Sequence, residues 1–111
     1  MTRALDARRT SDAHVPAFLA SLGHGRDDVR SSYWLAGRIG VGQRSVGFIA
    51  NAARRQGHLV GSVHGEGYYL IETQDELDAT ISHIEIRIAG IQRTIMQLRH
   101  SWSQQQNGAA A

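Results

Sequence analysis

Cysteine and lysine are both absent from this sequence of 111 residues, and proline occurs once. Without cysteine the chain cannot form a disulfide framework, a thiol nucleophile or a cysteine-based zinc site. No stretch approaches the roughly 20 apolar residues of a membrane-spanning helix, and the polar residues 1–14 lack the apolar core of a secretory signal. We therefore expect a cytoplasmic protein with no membrane partner.

The basic residues are distributed unevenly, and all twelve are arginine. Residues 1–60 carry nine arginines and four aspartates, a balance of +5, whereas residues 61–111 carry three arginines and six acids, a balance of −3. Arginine forms forked hydrogen bonds with phosphate and with guanine. A basic half favours a polyanionic partner, although an ordinary solvated basic face would have the same composition.

The order of local patterns predicts one small domain followed by an accessory helix. Residues 1–11 show no apolar period and are predicted to be a flexible arm. The domain is predicted over 12–73, and its first helix begins at Ser11 or Asp12 with Pro16 in the first turn. The apolar side chains of that helix recur at i, i+3, i+4 and i+7, namely Val15, Phe18, Leu19 and Leu22.

Two further helices separated by a tight turn are predicted next. Ser31 or Ser32 can cap the second helix, because serine oxygens accept hydrogen bonds from the first free amides. Residues 39–42 form the tight turn, and the third helix spans about 43–56. Its inner stripe has the same helical spacing and consists of Val46, Ile49, Ala50 and Ala53.

After the third helix the apolar period changes from helical to alternating. Residues 58–63 and 68–72 are predicted to be strands joined by a four-residue loop. Thr73 then starts the last helix, because Glu76 lies at capping-box spacing from it. The order of helix, helix, tight turn, helix and hairpin predicts an α+β winged helix-turn-helix fold, followed by a long C-terminal coiled-coil helix over 74–102.

The last helix carries apolar residues spaced 4, 3, 4, 3, 4, 3 and 4 apart, which is a heptad seam. The seam consists of Leu77, Ile81, Ile84, Ile88, Ile91, Ile95, Leu98 and Trp102. A helix over 74–102 is roughly 43 Å long, so we expect self-association into a homodimer through the seam. Packing against the first helix of the same chain is the alternative, and isoleucine at both core positions would favour more than two strands. Residues 103–111 are polar and small, and are predicted to be disordered.

The third helix has a polar face opposite its apolar stripe. On a helical wheel that face carries Arg44, Phe48, Asn51 and Arg55, with Gly47 and Arg54 on one flank. The second helix of a helix-turn-helix enters the major groove, where arginine can recognise guanine and asparagine can recognise adenine. Other interpretations stay open: Arg54 and Arg55 could complement the helix dipole, Phe48 could fold back onto the first helix, and Asn51 could be an ordinary solvated residue.

The hairpin segment resembles the wing of a known family. The matching residues are Gly57, Val60, Val63, Gly65, Gly67, Tyr68 and Leu70, and those of the upstream stretch are Leu35, Ala36, Ile39, Gly40, Val41 and Val46. Together they resemble the winged helix-turn-helix domain of biotin-operon repressors, over about residues 31–72. The resemblance implies that residues 43–54 are the recognition helix and that 64–66 are the wing tip, lying on DNA backbone or in the minor groove.

Three departures from that family pattern bear on function. Gly42 stands where the family usually has a serine that caps the recognition helix, and Glu66 stands at the wing tip where a basic residue would help. His64 could supply partial positive charge there below about pH 6.5. The ligase and effector domains of biotin repressors have no counterpart here, so their catalysis is not implied.

The predicted function is sequence-specific binding of double-stranded DNA, as a transcriptional regulator that reads an inverted repeat as a dimer. The candidate DNA-binding residues are Ser31, Ser32, Gln43, Arg44, Ser45, Gly47, Phe48, Asn51, Arg54, Arg55 and His64. The alternatives are a winged-helix protein-interaction module and a DNA-binding subunit of phage packaging or replication initiation. We expect no enzyme, metal, cofactor or small-molecule ligand, because the histidines lack metal-ligand spacing and the glycine-rich segments lack a P-loop lysine.

Overall fold

The computed structural model describes the backbone of residues 2–110 and the side chains of residues 10–108. Within that part of the chain, four α-helices and one two-stranded antiparallel hairpin form an α+β fold, which confirms the predicted class. The elements are α1 (Thr2–Ser21), a single 3-10 turn (Arg26–Asp28), α2 (Ser32–Ile39), α3 (Gln43–Arg55), β1 (Val60–Val63), β2 (Gly67–Leu70) and α4 (Gln74–Ala110).

The predicted apolar stripes of α1 and α3 meet α2 and the hairpin in one core. Phe18 of α1, Leu35 of α2 and Val46 of α3 are fully buried together. Side chains of this kind each contribute about 1.5–3 kcal/mol when they leave water. Phe18 also meets Tyr68 of β2 edge to face, with ring centroids 6.0 Å apart. The core therefore fixes α3 and the hairpin relative to each other.

The connection from α2 to α3 is as tight as the sequence predicts. Ser31 caps α2, because its hydroxyl oxygen accepts a hydrogen bond from the Trp34 amide at 3.0 Å. Gly40 ends α2 in the left-handed conformation at φ 84°, and its amide donates to the carbonyl of Ala36. Gly42 begins α3 without a side-chain cap. The turn thus depends on glycine's freedom at positive φ.

Strand β2 pairs with β1 on one edge and with the segment around Arg30 on the other. In its own register, Val60 is opposite Leu70 and Val63 is opposite Gly67. The loop therefore has three residues, 64–66, rather than the predicted four, because Gly67 is already paired as the first residue of β2. On the other edge of β2, Arg30 and Tyr68 exchange two backbone hydrogen bonds of 2.9 Å each.

Both terminal helices are longer than predicted. Helix α1 begins at Thr2, where a flexible arm over 1–11 was predicted, and α4 continues to Ala110, where a disordered tail over 103–111 was predicted. Both segments lack an apolar stripe but are rich in good helix formers such as alanine, arginine and glutamine. Pro16 consequently lies inside α1, not in its first turn. Met1 and Ala111 lie outside the described residues.

The chain divides into two compact units between Thr80 and Ile81. We call the part of the chain through Thr80 the head. The Thr80 hydroxyl is buried, accepts a hydrogen bond from the Ser62 amide at 3.3 Å, and lies 3.4 Å from the hydroxyl of Tyr69. The first two turns of α4 therefore belong to the head, whereas the sequence predicted the domain boundary after Thr73.

The junction between β2 and α4 centres on the carboxylate of Glu76. The predicted capping box is confirmed, since Glu76 accepts from the Thr73 amide and donates its own amide to the Thr73 hydroxyl, both at 3.2 Å. The same carboxylate accepts from the amides of Arg26 and Glu72, each at 2.8 Å. These bonds, that of Arg26 first, lower the pKa of Glu76 because they favour its charged form.

Candidate nucleic-acid interface

Helix α3 presents one polar face to solvent. Arg44, Phe48 and Asn51 lie on that face and are exposed, and Phe48 keeps 61% of its surface accessible. The opposite face is fully buried and matches the predicted stripe, with Ala52 buried in addition. Since Phe48 is exposed, it does not fold back onto α1. We call Arg44, Phe48 and Asn51 the α3 face.

The two arginines at the end of α3 have partners within the head. Arg54 turns toward the hairpin, where its Nε donates to the carbonyl of Val60 at 3.0 Å and its Nη2 donates to the Ser62 hydroxyl at 3.3 Å. Burial lowers the pKa of the Arg54 guanidinium, and the interaction with Tyr68 acts in the opposite direction. Arg55 approaches Asp12 of α1 at 3.8 Å. Arg54, predicted to contact DNA, therefore holds β1 against α3.

The flanks of the α3 face are only partly accessible. Gly47 is half-buried, and a Cβ atom built on it would lie 3.7 Å from the hydroxyl of Tyr68. That distance is an ordinary van der Waals contact, so the approach of the hairpin to α3 does not require glycine at this position. Ser45 is half-buried, whereas Gln43 is exposed at the first turn of the helix.

An aromatic and arginine cluster extends along α2 from Arg30, just before the helix, to Arg38 in its last turn. The guanidinium of Arg30 lies 4.9 Å from the centroid of the Trp34 ring, and that of Arg38 lies 5.9 Å from it. Both distances are within the range of cation–π attraction. Tyr33 beside them is 78% exposed. This cluster was not predicted, although the spacing of four residues from Arg30 to Trp34 and again to Arg38 could have indicated it.

Two shallow concavities connect this cluster with the other predicted site elements. One, of about 620 Å³, is lined by Arg30, Ser31, Trp34 and the hairpin-tip residue Glu66. The other, of about 540 Å³, is lined by Tyr33, Trp34, Arg38 and Gln43. Trp34 thus lies between the hairpin tip and the first turn of α3, so the elements form one continuous surface. Ser31 is exposed there, and Ser32 is half-buried.

The hairpin tip carries His64 and Glu66, and both are exposed. It can approach α2 because residue 67 is glycine. Gly67 has φ 135°, and a Cβ atom at that position would overlap the carbonyl of Arg30. The tip therefore brings an acid to the same surface as Arg30 and Ser31.

The predicted seam of α4 is accessible from Ile81 onward. Its side chains range from 36% exposed at Ile84 to 67% exposed at Leu98, whereas Leu77 in the head is half-buried. Packing of the seam against the first helix of the same chain stays the alternative. Self-association through the seam stays a prediction.

The described residues hold no group of three or more histidines, aspartates or glutamates that could bind a metal ion. In the same part of the chain, no helix is both long enough and apolar enough to cross a membrane.

Comparison with known proteins found no matching family model, no similar curated protein and no similar solved structure. Any functional interpretation therefore has to come from the geometry of the surface itself.

Proposed function

We propose that this chain is a winged helix-turn-helix protein that binds double-stranded DNA in a sequence-specific manner and regulates transcription as a dimer. Helix α3 would enter the major groove and the β1–β2 hairpin would be the wing. The observation that carries the proposal is the α3 face, a polar and accessible helix surface that follows a tight turn and is fixed from behind by the core. The major groove admits one such helix.

The α3 face has side chains of the kinds that read base edges. Arg44 can form paired hydrogen bonds with guanine, Asn51 can do so with adenine, and Phe48 can contact the methyl group of thymine. Arg54 has a supporting role, since its side chain is engaged with the hairpin. Sequence preference would thus come mainly from Arg44 and Asn51.

Contacts with the DNA backbone would come from α2 and from Arg30 just before it. Arg30 and Arg38 flank Trp34 on the surface that joins the hairpin tip to Gln43 of α3. Phosphate contacts of this kind set the register of a protein on DNA and give affinity that falls as salt is added. The exposed Ser31 hydroxyl could add a neutral phosphate contact.

Dimerisation would use the seam of α4, because an exposed row of isoleucines is unfavourable in water unless a partner covers it. Two heads on one dimer match the symmetry of an inverted repeat, the form of site that dimeric helix-turn-helix proteins read.

Selection of bound sequences from a random DNA pool, followed by gel shifts on the selected site, tests the proposal. Arg44→Ala and Asn51→Ala should each weaken binding by about 1–3 kcal/mol, about five- to 150-fold, and relax the preference at one base pair. Arg93→Ala is the matched control, because Arg93 is exposed on α4 away from the seam. Unchanged affinity and preference in both α3 variants would contradict the assignment.

A protein-interaction module is the second candidate function. The exposed Phe48 and the acidic wing tip at Glu66 favour it, since neither is typical of a surface that contacts phosphate. If the chain binds neither random nor genomic DNA at low salt, this candidate becomes the better account. The same surface would then be tested for a protein ligand.

A further inference from the structure

The residues beside the seam would set the orientation of the two helices in a dimer. In a coiled coil, the positions next to the apolar core face the flanks of the partner helix, and their charges set its orientation. One flank of the α4 seam carries Asp78, Glu85, Gln92 and Arg99. The other flank carries Thr80, Arg87, Thr94 and Ser101.

In a parallel dimer, each flank of one helix faces the other flank of the partner helix. A residue of the flank that contains Arg87 then faces a residue of the flank that contains Glu85, in the next heptad of the partner. Arg87 would then face Gln92 of the second copy and Thr94 would face Arg99, whereas Thr80 is buried in the head and faces no partner. None of these pairings joins opposite charges, so a parallel dimer would gain no ion pair along the seam.

In an antiparallel dimer each flank meets the same flank of the partner. One alignment fills every layer of the seam, with Ile81 against Leu98, Ile84 against Ile95, and Ile88 against Ile91 of the second copy. The same alignment puts Asp78 opposite Arg99 of the second copy. Twofold symmetry repeats that pairing, so the dimer gains two ion pairs. The remaining flank pairings, such as Glu85 with Gln92, join no like charges.

We propose that α4 pairs with α4 of a second copy of this chain in the antiparallel orientation, with Asp78 of each copy facing Arg99 of the other. The proposal rests on the dimer included in the proposed function, and it adds the orientation and register of that dimer. The two N-terminal ends of α4 then lie at opposite ends of the seam.

The surroundings of the two charges are consistent with such a pairing. Asp78 and Arg99 are both exposed. Arg99 has no acid three or four residues away on either side, where a partner within its own helix would stand. Asp78 accepts one hydrogen bond, from the Gln74 amide group at 2.9 Å, and a carboxylate has capacity for more.

The antiparallel orientation also reconciles a two-stranded dimer with isoleucine at both core positions of the seam. The tendency of isoleucine at both core positions to give three or four strands holds for parallel coiled coils, in which each core position packs against its own equivalent. In the antiparallel alignment every layer combines the two kinds of core position, as Ile88 with Ile91 does. A two-stranded dimer then agrees with the symmetry of an inverted repeat.

Disulfide crosslinking of the full chain tests the orientation directly, because the natural sequence has no cysteine. Ile81→Cys and Leu98→Cys are made as separate variants, one carrying a tag that changes its mass. In the antiparallel alignment the two copies of residue 81 lie about 26 Å apart along the axis, whereas a disulfide needs Cα atoms within about 7 Å. Oxidation should therefore crosslink the mixture of the two variants and leave each single variant uncrosslinked.

Self-crosslinking of either single variant would overturn the antiparallel orientation in favour of the parallel one. A monomeric mass in sedimentation, or the absence of a mixed crosslink in a dimeric sample, would overturn the proposal as well. DNA binding of the reduced variants is measured separately by gel shift. Failure of the DNA-binding function and failure of the orientation are therefore distinguishable.

Charge reversal gives an independent test in a double-mutant cycle. Arg99→Asp and Asp78→Arg should each weaken self-association about tenfold, because each creates two like-charge contacts in the dimer. The double variant should recover to within about threefold of the natural chain, since the pairs are restored with their signs exchanged. Arg93→Asp, on the outer side of α4, is the control. A double variant no better than the singles would overturn the pairing.

Discussion

Three arginines of α3 occupy three different environments, and their roles follow from these. Arg44 is exposed at the first turn, Arg55 is exposed and 3.8 Å from Asp12, and Arg54 is half-buried between α3 and β1. A guanidinium that satisfies a buried carbonyl and a hydroxyl stabilises the fold, whereas an exposed one is available to a ligand. Substitution of Arg54 should therefore lower stability, whereas substitution of Arg44 should weaken DNA binding.

Arg54→Ala should destabilise the head by about 1–3 kcal/mol, because it leaves the carbonyl of Val60 without its side-chain donor and removes packing between α3 and β1. Urea unfolding followed by circular dichroism measures the effect. Arg44→Ala is the matched control and should change the unfolding free energy by no more than about 0.5 kcal/mol. Equal unfolding midpoints for the two variants would contradict the supporting role of Arg54.

Glu66→Gln should strengthen DNA binding about two- to fivefold at low salt. The carboxylate lies on the same surface as Arg30 and Ser31, where it would repel phosphate. Asp27→Asn, which removes an exposed acid in the turn before α2, is the control and should leave affinity unchanged. Affinity that falls in Glu66→Gln would instead favour a partner recognised through the acidic wing tip.

At the scale of the elements, the ends of helices were predictable where a side chain or a glycine determines them. Ser31, Gly40 and Thr73 mark the boundaries of α2 and α4 in the structure, and each has a recognisable local signature. The outer ends of α1 and α4 were not predictable from apolar period. Their first and last residues are helical through composition alone, without a stripe to indicate it.

The exposed part of the candidate site was also predictable, because the apolar stripe of α3 determines its opposite face. Two features were not. The contact of Arg54 with the hairpin depends on where β1 packs after the chain reverses, and the surface around Trp34 depends on Glu66, which is distant in sequence. Local periodicity carries no information about such tertiary neighbours.

The acid stability of the junction between β2 and α4 should depend on Glu76. Three backbone amides donate to its carboxylate and lower its pKa in the folded state below the ordinary value of 4.5. Its contribution to stability is therefore fully present above the unfolded-state pKa and is lost as pH falls through the lower folded-state pKa. Thermal melts of the natural chain should show a midpoint that declines below about pH 4.5.

Glu76→Gln tests this dependence, because the amide keeps the size of the side chain without its charge. The variant should be less stable than the natural chain at pH 7, and the difference should shrink steadily toward acid. Glu85→Gln, an exposed acid farther along α4, is the control. A stability difference that stays constant from pH 7 to pH 3 would show that the charge of Glu76 is not responsible.

At the scale of the whole molecule, function would depend on two separate surfaces, one on the head and one on α4. The residues up to 60 have a balance of +5 and those from 61 onward have a balance of −3, so positive charge is concentrated where α2 and α3 lie. A dimer would combine two such heads, and binding both halves of a site at once can raise affinity about 100-fold or more without any new contact. Affinity for a full site would therefore depend on the seam.

Replacing one seam residue should separate self-association from base recognition. Ile88→Asp puts a charge into a core layer on both copies and removes apolar burial of about 1.5–3 kcal/mol from each, so self-association should weaken at least about 100-fold. Ile86→Asp is the matched control, because Ile86 is 68% exposed, lies two residues away in the same helix and is outside the seam. Sedimentation should then find Ile88→Asp monomeric and Ile86→Asp dimeric.

Gel shifts on two DNA duplexes complete this experiment. Ile88→Asp should lose affinity for the full inverted repeat about 100-fold or more, yet bind a duplex with one half-site as well as the natural chain does, because the α3 face is unchanged. Equal losses in both isoleucine variants would mean that the helix itself, rather than the seam, had been disturbed. Retained dimerisation in Ile88→Asp would exclude the seam as the interface and direct attention to another surface of the chain.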